Sequence, residues 1–372
     1  MLKLSIHPRW HLHKDDSAHP LHQLLSLLRA IDEERSILAG ANRLGVSYRH
    51  AWGLIRRARK EFGAPVLDMS RGRRAILSAL GEKLVAADRR IEARIAPLLD
   101  SFASELEAEI DRLRPGVTPS LRVHASHGYA IELMRKFLLR REIAIDLRYR
   151  GSMEALASLA GGSCDVAGFH APLGPLEAEV LGFYAQWLDP ARHVLIRLAV
   201  RRQGIMAAAG NPKGIATFAD LARPGVRFVN RQIGSGTRLL LELLLKRERV
   251  DSAAIEGYAT GEFTHSGVAA CIASGMADAG FGVEAGARQY GLDFIPVVNE
   301  RYFLICARSA QGASTVRAMR EILSSPQFRA EAGRLPGIDV TDAGEILTVS
   351  EAFPRTPAPG PRRTAARVAA AT

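Results

Sequence analysis

The chain has 372 residues, 47% hydrophobic and 24% charged, which is enough for two or three domains with sizeable cores. No run of about 18 or more apolar residues occurs, which excludes an ordinary transmembrane helix, and the three cysteines are too widely spaced for a disulfide framework. The N-terminal segment MLKLSIHPRWHLHKDD has no apolar signal-peptide core, so we expect a cytoplasmic protein.

The net charge of +11 is concentrated at the two ends of the chain. Residues 1–75 contain 14 Lys and Arg against 7 Asp and Glu, residues 353–372 contain four Arg and no acid, and residues 76–352 balance at 32 against 32. A basic head on a neutral body is typical of a nucleic-acid-binding module joined to a second domain. A basic face that merely contacts solvent is the alternative, and charge alone does not decide between them.

Residues 1–78 predict a winged helix-turn-helix that binds double-stranded DNA. A polar, His-rich arm precedes a first helix marked by apolar residues at helical spacing: Leu24, Leu25, Leu28 and Ile31. Ser36 and Ser47 are suited to cap a second helix at 37–44 and a third at 48 to about 62. Strands at 66–69 and 75–78 then flank a basic turn at 70–74, which would be the wing.

A long helix follows from 79 to 114, and residues 79–119 are predicted to form a dimerisation helix and hinge. Its narrow apolar stripe has little to bury against in a small domain, which favours a coiled coil with a second copy. Packing of the stripe on the helix's own chain is the alternative. The stripe consists of Leu80, Leu84, Ala87, Ile91, Ile95, Leu98, Leu99, Phe102, Leu106 and Ile110.

Short apolar strands alternate with helices over residues 120–350, a pattern that predicts an α/β domain of two lobes around a parallel sheet. Strands are predicted at 121–125, 144–149, 165–169, 227–230, 279–282 and 294–296, and helices at 129–141, 153–159, 235–246 and 264–274. Residues 351–372 are rich in Pro, Arg and Ala and are predicted to be a disordered basic tail.

The start of the third helix is the candidate DNA-reading surface. Polar and basic side chains at a recognition-helix N-terminus reach base edges or phosphates, and arginines at a wing tip suit the adjacent groove or backbone. Core packing is favoured for Trp52. The candidate DNA contacts are Ser36, Ser47, Tyr48, Arg49, His50, Arg56, Arg71, Arg73 and Arg74.

Turns with Ser, Thr or Gly precede several helices of the second domain, where free amides and the helix dipole favour an anion. They lie at residues 125–128, 150–153, 230–238 and 261–265. A single turn of this kind usually does no more than cap its helix. Their recurrence at equivalent points of both lobes predicts a small-anion site, and the run FVNRQIGSGTR, which is neither a Walker loop nor a dinucleotide fingerprint, is its strongest part.

The segment SILAGANRLGVSYRHAWGLIRRARKEFGAPVLDMSRGRRAILSALGEKLV resembles the winged-helix domain of LysR-type regulators and, more closely, of molybdate-responsive ModE-type regulators. The resemblance covers about 80 residues. It implies a transcription regulator that binds pseudo-palindromic DNA as a dimer, with a tetramer left open.

The segments RFVNRQIGSGTR, IEGYATGEFTHSGVAACIASGMADAGFGVEAGA and GLDFIPVVNERYFL are similar to the periplasmic-binding-protein-like (PBP-like) domain of molybdate-related regulators. The resemblance implies a two-lobed fold whose cleft binds molybdate or tungstate. Carried over by position, the contacts are Ser126, Ser152, Ser235, Thr237, Arg238, Thr264 and His265. The small β-barrel sensor of ModE-type regulators has no counterpart here, so formate, sulfate or another carboxylate remain alternatives.

Two other function classes fit the sequence less well. A serine hydrolase needs a G-x-S-x-G elbow, which Gly234-Ser235-Gly236 lacks, so neither an enzyme nor a catalytic residue is predicted. A solute-binding protein without a DNA role does not account for the basic head. His7, His11 and His13 lack the partners of a metal site, so no metal or cofactor is expected beyond the effector anion.

Overall fold

The computed structural model describes residues 3–14, 17–69, 75–114 and 120–354 of the chain. An N-terminal helical domain, one long helix and a two-lobed α/β domain follow one another along the sequence, which confirms the predicted fold class. In the described part of the chain, no helix is both long and apolar enough to cross a membrane.

The N-terminal domain is a helix-turn-helix flanked by two small hairpins. The hydroxyl oxygens of Ser36 and Ser47 accept from the amides of Ala39 and His50, so both serines cap helices as expected. Its elements are β1 (His11–Lys14), β2 (Ser17–Pro20), α1 (His22–Glu34), α2 (Ile37–Arg43), α3 (Tyr48–Phe62), β3 (Leu67–Met69) and β4 (Ala75–Leu77).

The apolar faces of these helices form one core. Leu27, Leu28 and Ile31 of α1 are fully buried, and Ala51 of α3 packs against them. Trp52 is partly buried against the same core, in agreement with the packing role expected for it. The predicted wing turn at 70–74 lies outside the described residues. The structure describes only the two strands that flank it, β3 and β4.

Helix α4 (Ala79–Arg112) is the long helix that joins the two domains. It packs on its own chain, against strand β6 (Ile145–Tyr149) and helix α9 (His265–Ala273), so the expectation that it has little to bury against is wrong. Only part of its stripe is covered, because Leu98, Phe102 and Leu106 remain exposed. The hinge residues 115–119 lie outside the described residues.

The α/β domain contains strands and helices in near-regular alternation. Before the first long strand it has β5 (Leu121–Ala125), α5 (Tyr129–Arg140), β6, α6 (Ser152–Ala160), β7 (Val166–Pro172) and α7 (Glu177–Tyr184). After β8 (His193–Ala207) come β9 (Phe228–Arg231), α8 (Gly236–Arg247), β10 (Gly261–Glu262), α9, β11 (Ala279–Val283) and α10 (Glu284–Gln289). The last elements are β12 (Asp293–Ala307), α11 (Ser314–Ser324), α12 (Pro326–Ala332), β13 (Ile338–Asp339), β14 (Ile346–Thr348) and α13 (Val349–Ala352).

The sheet is mixed, and the prediction of a purely parallel sheet is wrong at its centre. Its order is β10-β9-β11-β8-β12-β7-β5-β6, with β13 and β14 pairing alongside β8. Strands β8 and β12 are antiparallel to each other and to the strands beside them, while β5, β6 and β7 pair in parallel. Each of the two 15-residue strands runs through both lobes.

This crossing divides the domain into two lobes. Lobe I contains β5, β6 and β7 with the first half of β8 and the second half of β12, and lobe II contains β9, β10 and β11 with the other halves. The β8–β12 pairing is irregular between Pro296 and Val298 and between Tyr302 and Phe303, at the crossing itself. Side chains at the crossing therefore face the space between the lobes.

The C-terminal boundary of the α/β domain lies beyond the predicted position. Residues predicted to begin a disordered tail instead form α13, where Thr348 and Glu351 make a capping box. Phe353 is 2% exposed and its ring packs 5.4 Å from that of Phe303. An aromatic side chain that completes a core holds the chain to residue 353; residues 355–372 lie outside the described residues.

Candidate functional site

The first candidate site is the exposed N-terminal face of α3. Ser47, Tyr48, Arg49 and His50 are exposed there, and Arg56 follows two turns later on the outside of the same helix. Tyr48 packs edge-on against Trp52, with ring centroids 6.2 Å apart, so its hydroxyl end is held at the surface. The helix N-terminus and these side chains together form a surface suited to a DNA groove.

The arginines on this surface differ from Arg43 of the same domain in their acidic partners. Arg43 is paired with Glu33 and Glu34, whereas within the described ranges neither Arg49 nor Arg56 has a carboxylate within 4 Å. Unpaired arginines are available for phosphates. Ser36, the remaining described candidate, is half-buried at its cap, and Arg71, Arg73 and Arg74 lie outside the described residues.

The second candidate site is a buried group of polar side chains between the lobes, which we call the interlobe cluster. It is contributed by the crossing strands and by the helix starts around them. Its members are Ser152, His170, Arg201, Gln203, Arg231, Thr237, His265, Glu300 and Tyr302, each at most 6% exposed.

On the lobe I side, a line of contacts runs from a helix start to the crossing. The Ser152 hydroxyl lies 3.2 Å from Nδ1 of His170, whose ring packs on Tyr302 at 3.8 Å between centroids. The guanidinium of Arg201 lies 5.5 Å from the Tyr302 ring centroid. The Tyr302 hydroxyl donates to the carbonyl oxygen of Ser126 at 2.8 Å, which ties the end of β5 to the cluster.

At the crossing, one carboxylate partly balances the positive charge. Arg201 Nε lies 3.3 Å from Oε2 of Glu300, and Gln203 Nε2 donates to the same oxygen. Gln203 also donates to the hydroxyl of Thr237 at 3.2 Å, which connects the crossing to the start of α8. These contacts pair the Glu300 carboxylate directly with Arg201 and Gln203, whereas it acts on a second arginine only through space.

Arg231, at the end of β9, is that second arginine. It is 3% exposed; its Nε donates to the carbonyl of Glu262 at 3.1 Å and its Nη2 to that of Phe263 at 2.7 Å. Its Nη1 has no hydrogen-bond partner among the described residues. Burial, followed by the positive charge of Arg201, lowers the pKa of Arg231 to about 9, so it is still cationic at neutral pH.

Two histidines next to these arginines are held in the neutral form. Burial, followed by the charges of Arg201 and Arg231, places the pKa of His170 well below its usual value, and burial with Arg231 and then Arg201 does the same to that of His265. Nε2 of His170 and Nδ1 of His265 have no partner among the described residues. The cluster thus offers unpartnered polar groups beside a buried arginine that has no carboxylate paired directly with it among the described residues.

The structure brings some of the predicted ligand contacts together. Ser152, Thr237 and His265 lie in the interlobe cluster, and Ser126 borders it through its carbonyl. Ser235 is 5% exposed and its hydroxyl caps α8 by accepting from the Arg238 amide at 3.1 Å. Their part in ligand binding stays a prediction.

Two further predicted ligand contacts, Arg238 and Thr264, already have hydrogen-bond partners of their own. The Arg238 guanidinium donates to Glu242 and, at 3.2 Å, to the carbonyl oxygen of Arg231, and it lies 5.1 Å from the Tyr258 ring centroid. The Thr264 hydroxyl caps α9 and donates to the carbonyl of Ala93 in α4 at 2.9 Å. Both side chains therefore already have hydrogen-bond partners, and their part in ligand binding stays a prediction.

Sequence reasoning missed six members of the cluster: His170, Arg201, Gln203, Arg231, Glu300 and Tyr302. A signal existed for two of them: His170 interrupts the otherwise apolar strand Val166–Pro172, and Arg231 lies inside the quoted run FVNRQIGSGTR. Arg201 and Glu300 belong to strands that were not predicted at those positions. Their pairing links residues 99 positions apart, which no local pattern indicates.

Metal chemistry finds no support in the described part of the chain, where no group of three or more His, Cys, Asp or Glu side chains is placed to hold an ion. His11 and His13 lie on β1 with ring centroids 6.5 Å apart. The three cysteines are buried and free, and burial raises the pKa of Cys164 and Cys271 to about 12.

Two family models match the chain, one in each domain. A model described as "Bacterial regulatory helix-turn-helix protein, lysR family" matches residues 22–82, and one described as "PBP superfamily domain" matches residues 135–324. The first match spans the candidate DNA surface. The second spans most of the interlobe cluster.

Individual relatives cover the chain to different extents. The uncharacterized protein YvgK of Bacillus subtilis (strain 168) is 28% identical over 249 residues, 66% of this chain and 79% of that protein. The molybdenum-pterin-binding protein MopB of Rhodobacter capsulatus is 35% identical over 113 residues, 29% of this chain and 41% of that protein. Among solved structures, HypT of Salmonella typhimurium, a hypochlorite-specific LysR-type regulator, is 14% identical with a TM-score of 0.41, covering 84% of this chain and 98% of its own.

Proposed function

Because the chain belongs to the PBP superfamily and is a DNA-binding LysR-type regulator, we propose that its effector is a small anion bound at the interlobe cluster. Molybdate or tungstate is the ligand we propose first. The lysR-family domain identifies a transcription regulator rather than an enzyme. Such a regulator works where its DNA is, so we also propose a cytoplasmic location.

The unpartnered Nη1 of buried Arg231 is the observation that carries this proposal. A buried cationic donor without a partner is costly, and an anionic oxygen placed there supplies the missing hydrogen bond and charge. Arg201 adds a second positive charge that Glu300 largely balances. The starts of α6, α8 and α9 add free amides and the positive ends of their dipoles.

The proposed ligand is small because the lobes already touch one another. The Tyr129 hydroxyl lies 2.9 Å from that of Ser266 and donates to Gln289 at 2.7 Å, which joins α5 of lobe I to α9 and α10 of lobe II. A compact tetrahedral oxyanion suits such an enclosure. Molybdate and tungstate have the additional support of the likeness to MopB, whose name includes molybdenum-pterin binding.

Thermal unfolding in a panel of sodium salts at equal ionic strength tests the ligand. We expect molybdate or tungstate to raise the Tm more than sodium chloride does, since a ligand at about 100 times its Kd stabilises by about 2.7 kcal/mol. A response to formate or sulfate alone would move the assignment to those anions. No shift with any of the four contradicts anion sensing.

We also propose that the regulator dimerises through the uncovered part of the α4 stripe. Leu98, Phe102 and Leu106 are 39%, 57% and 45% exposed on one side of the helix. Exposed apolar side chains in a row are typical of a protein interface. Sedimentation should give a smaller particle for Phe102→Asp than for the wild type, with Phe183→Asp, at an exposed position of α7, as the matched control.

A further inference from the structure

One stretch of α4, from Asp88 to Arg94, touches both the DNA-binding domain and the ligand-binding lobe. On one side, Nη1 of Arg29 in α1 lies 2.5 Å from a Glu92 carboxylate oxygen. On the other side, Arg94 meets Glu262 of lobe II, and the carbonyl of Ala93 accepts from Thr264 at 2.9 Å. The two domains are thus joined through a helical segment of about two turns.

The ion pair between Arg94 and Glu262 is bidentate, and its carboxylate is buried. Nε and Nη2 of Arg94 lie 2.8 Å from the two carboxylate oxygens, and the Glu262 side chain is 2% exposed. Cys271 Sγ also donates to this carboxylate at 3.3 Å. Planar, two-bond pairing of this kind fixes orientation as well as distance.

The backbone of Glu262 also contacts Arg231, the proposed ligand-binding arginine. Its carbonyl accepts from Nε of Arg231, and the next carbonyl, that of Phe263, accepts from Nη2. Two residues further along, Thr264 binds α4 and is followed by His265 of the interlobe cluster. Residues 262–265 therefore touch the anion site on one side and α4 on the other.

We propose that Arg94 is a positioning residue, through which an anion bound at Arg231 sets the orientation of α4 and of the DNA-binding domain attached to it. Without an anion, Arg231 is tied to this segment through the carbonyl oxygens of Glu262 and Phe263, and its charge also acts through space on the Glu262 carboxylate. An anion that neutralises Arg231 leaves that carboxylate to Arg94 and tightens the ion pair. The proposal rests on the proposed function, because the anion is its input.

Reciprocity gives the expected effects. If anion binding strengthens the Arg94–Glu262 ion pair, then loss of that ion pair lowers the affinity for the anion by the same factor. We expect Arg94→Ala to reduce molybdate affinity about fivefold or more, the lower end of usual coupling between sites, and to abolish the effect of molybdate on DNA affinity. Arg94→Lys, which keeps the charge without the paired geometry, should retain part of both effects.

A second contact of α4 supplies the matched control. Glu105 pairs with Arg148 of β6 at 2.9 Å, so it ties α4 to lobe I but has no contact with Arg231 or its carbonyl partners. Glu105→Ala removes from the same helix an ion-pairing side chain that is 43% exposed, as the Arg94 side chain is. A merely structural attachment of α4 would make Arg94→Ala and Glu105→Ala behave alike.

The test uses the full chain and a duplex that the wild type selects from random sequences. DNA affinity is measured with and without saturating sodium molybdate, molybdate affinity by calorimetry, and backbone exchange in α9 by mass spectrometry. Support requires that Arg94→Ala lose the molybdate response while Glu105→Ala keeps it. An unchanged ratio of the two DNA affinities in Arg94→Ala overturns the proposal.

Measurements without molybdate distinguish the failure of this proposal from the failure of anion sensing. If wild type binds no anion, anion sensing fails, yet the role of Arg94 is still decided by ligand-free measurements. Faster exchange at the start of α9 together with altered DNA affinity in Arg94→Ala, but not in Glu105→Ala, supports control of α4 by this ion pair. Equal behaviour of the two variants refutes it.

Discussion

The carbonyl oxygen of Gly234, in lobe II, lies 2.5 Å from the position that a Cβ on Gly151, in lobe I, would occupy. Gly151 has a φ of −64°, which any residue adopts, so the absence of a side chain there serves the close approach of the lobes. Gly234 has a φ of +84°, so its own backbone conformation favours glycine. Two glycines for two different reasons bring the starts of α6 and α8 together.

Gly151→Ala should therefore hold the lobes apart. The added methyl group cannot be accommodated against a backbone carbonyl at that distance without a shift of one loop, so we expect at least about a tenfold loss of anion affinity, roughly 1.4 kcal/mol. Gly182→Ala is the control, because a Cβ at Gly182 in α7 meets nothing within 4 Å. Calorimetry with sodium molybdate measures both, and equal affinities would contradict the closed arrangement.

Arg231→Gln should remove the anion-dependent rise in Tm. The substitution deletes the positive charge and the unpartnered Nη1 while keeping a polar side chain near the carbonyls of Glu262 and Phe263. Arg238→Gln is matched in chemistry and lies seven residues away, but its guanidinium contacts Glu242 and Tyr258 and reaches Arg231 only at its backbone carbonyl. We expect the anion response to survive in Arg238→Gln; its loss in that variant alone would place the ligand elsewhere.

Arg49→Ala and Arg56→Ala should each weaken DNA binding and reduce the salt dependence of the affinity. Removal of one arginine–phosphate interaction lowers the slope of log K against log salt by about 1. Arg317→Ala, an exposed arginine of α11 near Glu321, is the control and should change neither quantity. Fluorescence anisotropy at several salt concentrations gives the slopes, and slopes equal to that of wild type would remove α3 from the DNA interface.

Stability should fall as the pH drops below about 6.5, the ordinary pKa of histidine. His170 and His265 have lowered pKa values in the fold, so the unfolded chain takes up protons in a range where the native chain does not. The stability present above pH 6.5 is then lost by up to about 1.4 kcal/mol per pH unit for each histidine. Denaturant unfolding at pH 5 to 7 should show a smaller slope for His170→Gln, whereas exposed His22→Gln should match wild type.

Phe353→Ala tests whether the C-terminal segment belongs to the α/β core. Its ring contacts those of Phe303 and Phe169, and the Arg301 guanidinium lies 5.0 Å from its centroid. Emptying such a site costs about 3–5 kcal/mol. Phe183→Ala, at a side chain 44% exposed in α7, should cost under about 1 kcal/mol. Similar losses in both variants would argue against a core role for Phe353.

Local features of the fold were readable from the sequence. Ser36, Ser47 and Thr264 cap the helices that the pattern predicts, because capping depends on residues within three positions of one another. The strand Leu121–Ala125 was predicted with its observed bounds. The basic head and the alternation of strands and helices were enough for the fold class.

Strand direction and strand length were decided by pairing across the chain. The sequence prediction lacks β8 and contains only residues 294–296 of β12. Charged residues at the crossing break the apolar pattern that marks a buried strand. Their antiparallel pairing joins residues about a hundred positions apart, such as Arg201 and Glu300. No local periodicity carries that information.

The sequence by itself thus determined which turns could receive an anion, because free amides at a helix start are a local property. Only the tertiary structure decided which side chains meet there: of two neighbours on α8, Thr237 bonds to the Gln203 side chain, whereas Arg238 bonds to Glu242 and to the backbone of Arg231. The rotation between successive helical residues and the distant pairing of β8 with β12 bring Arg231 and Arg201 to the proposed anion site, and direct Thr264 to α4.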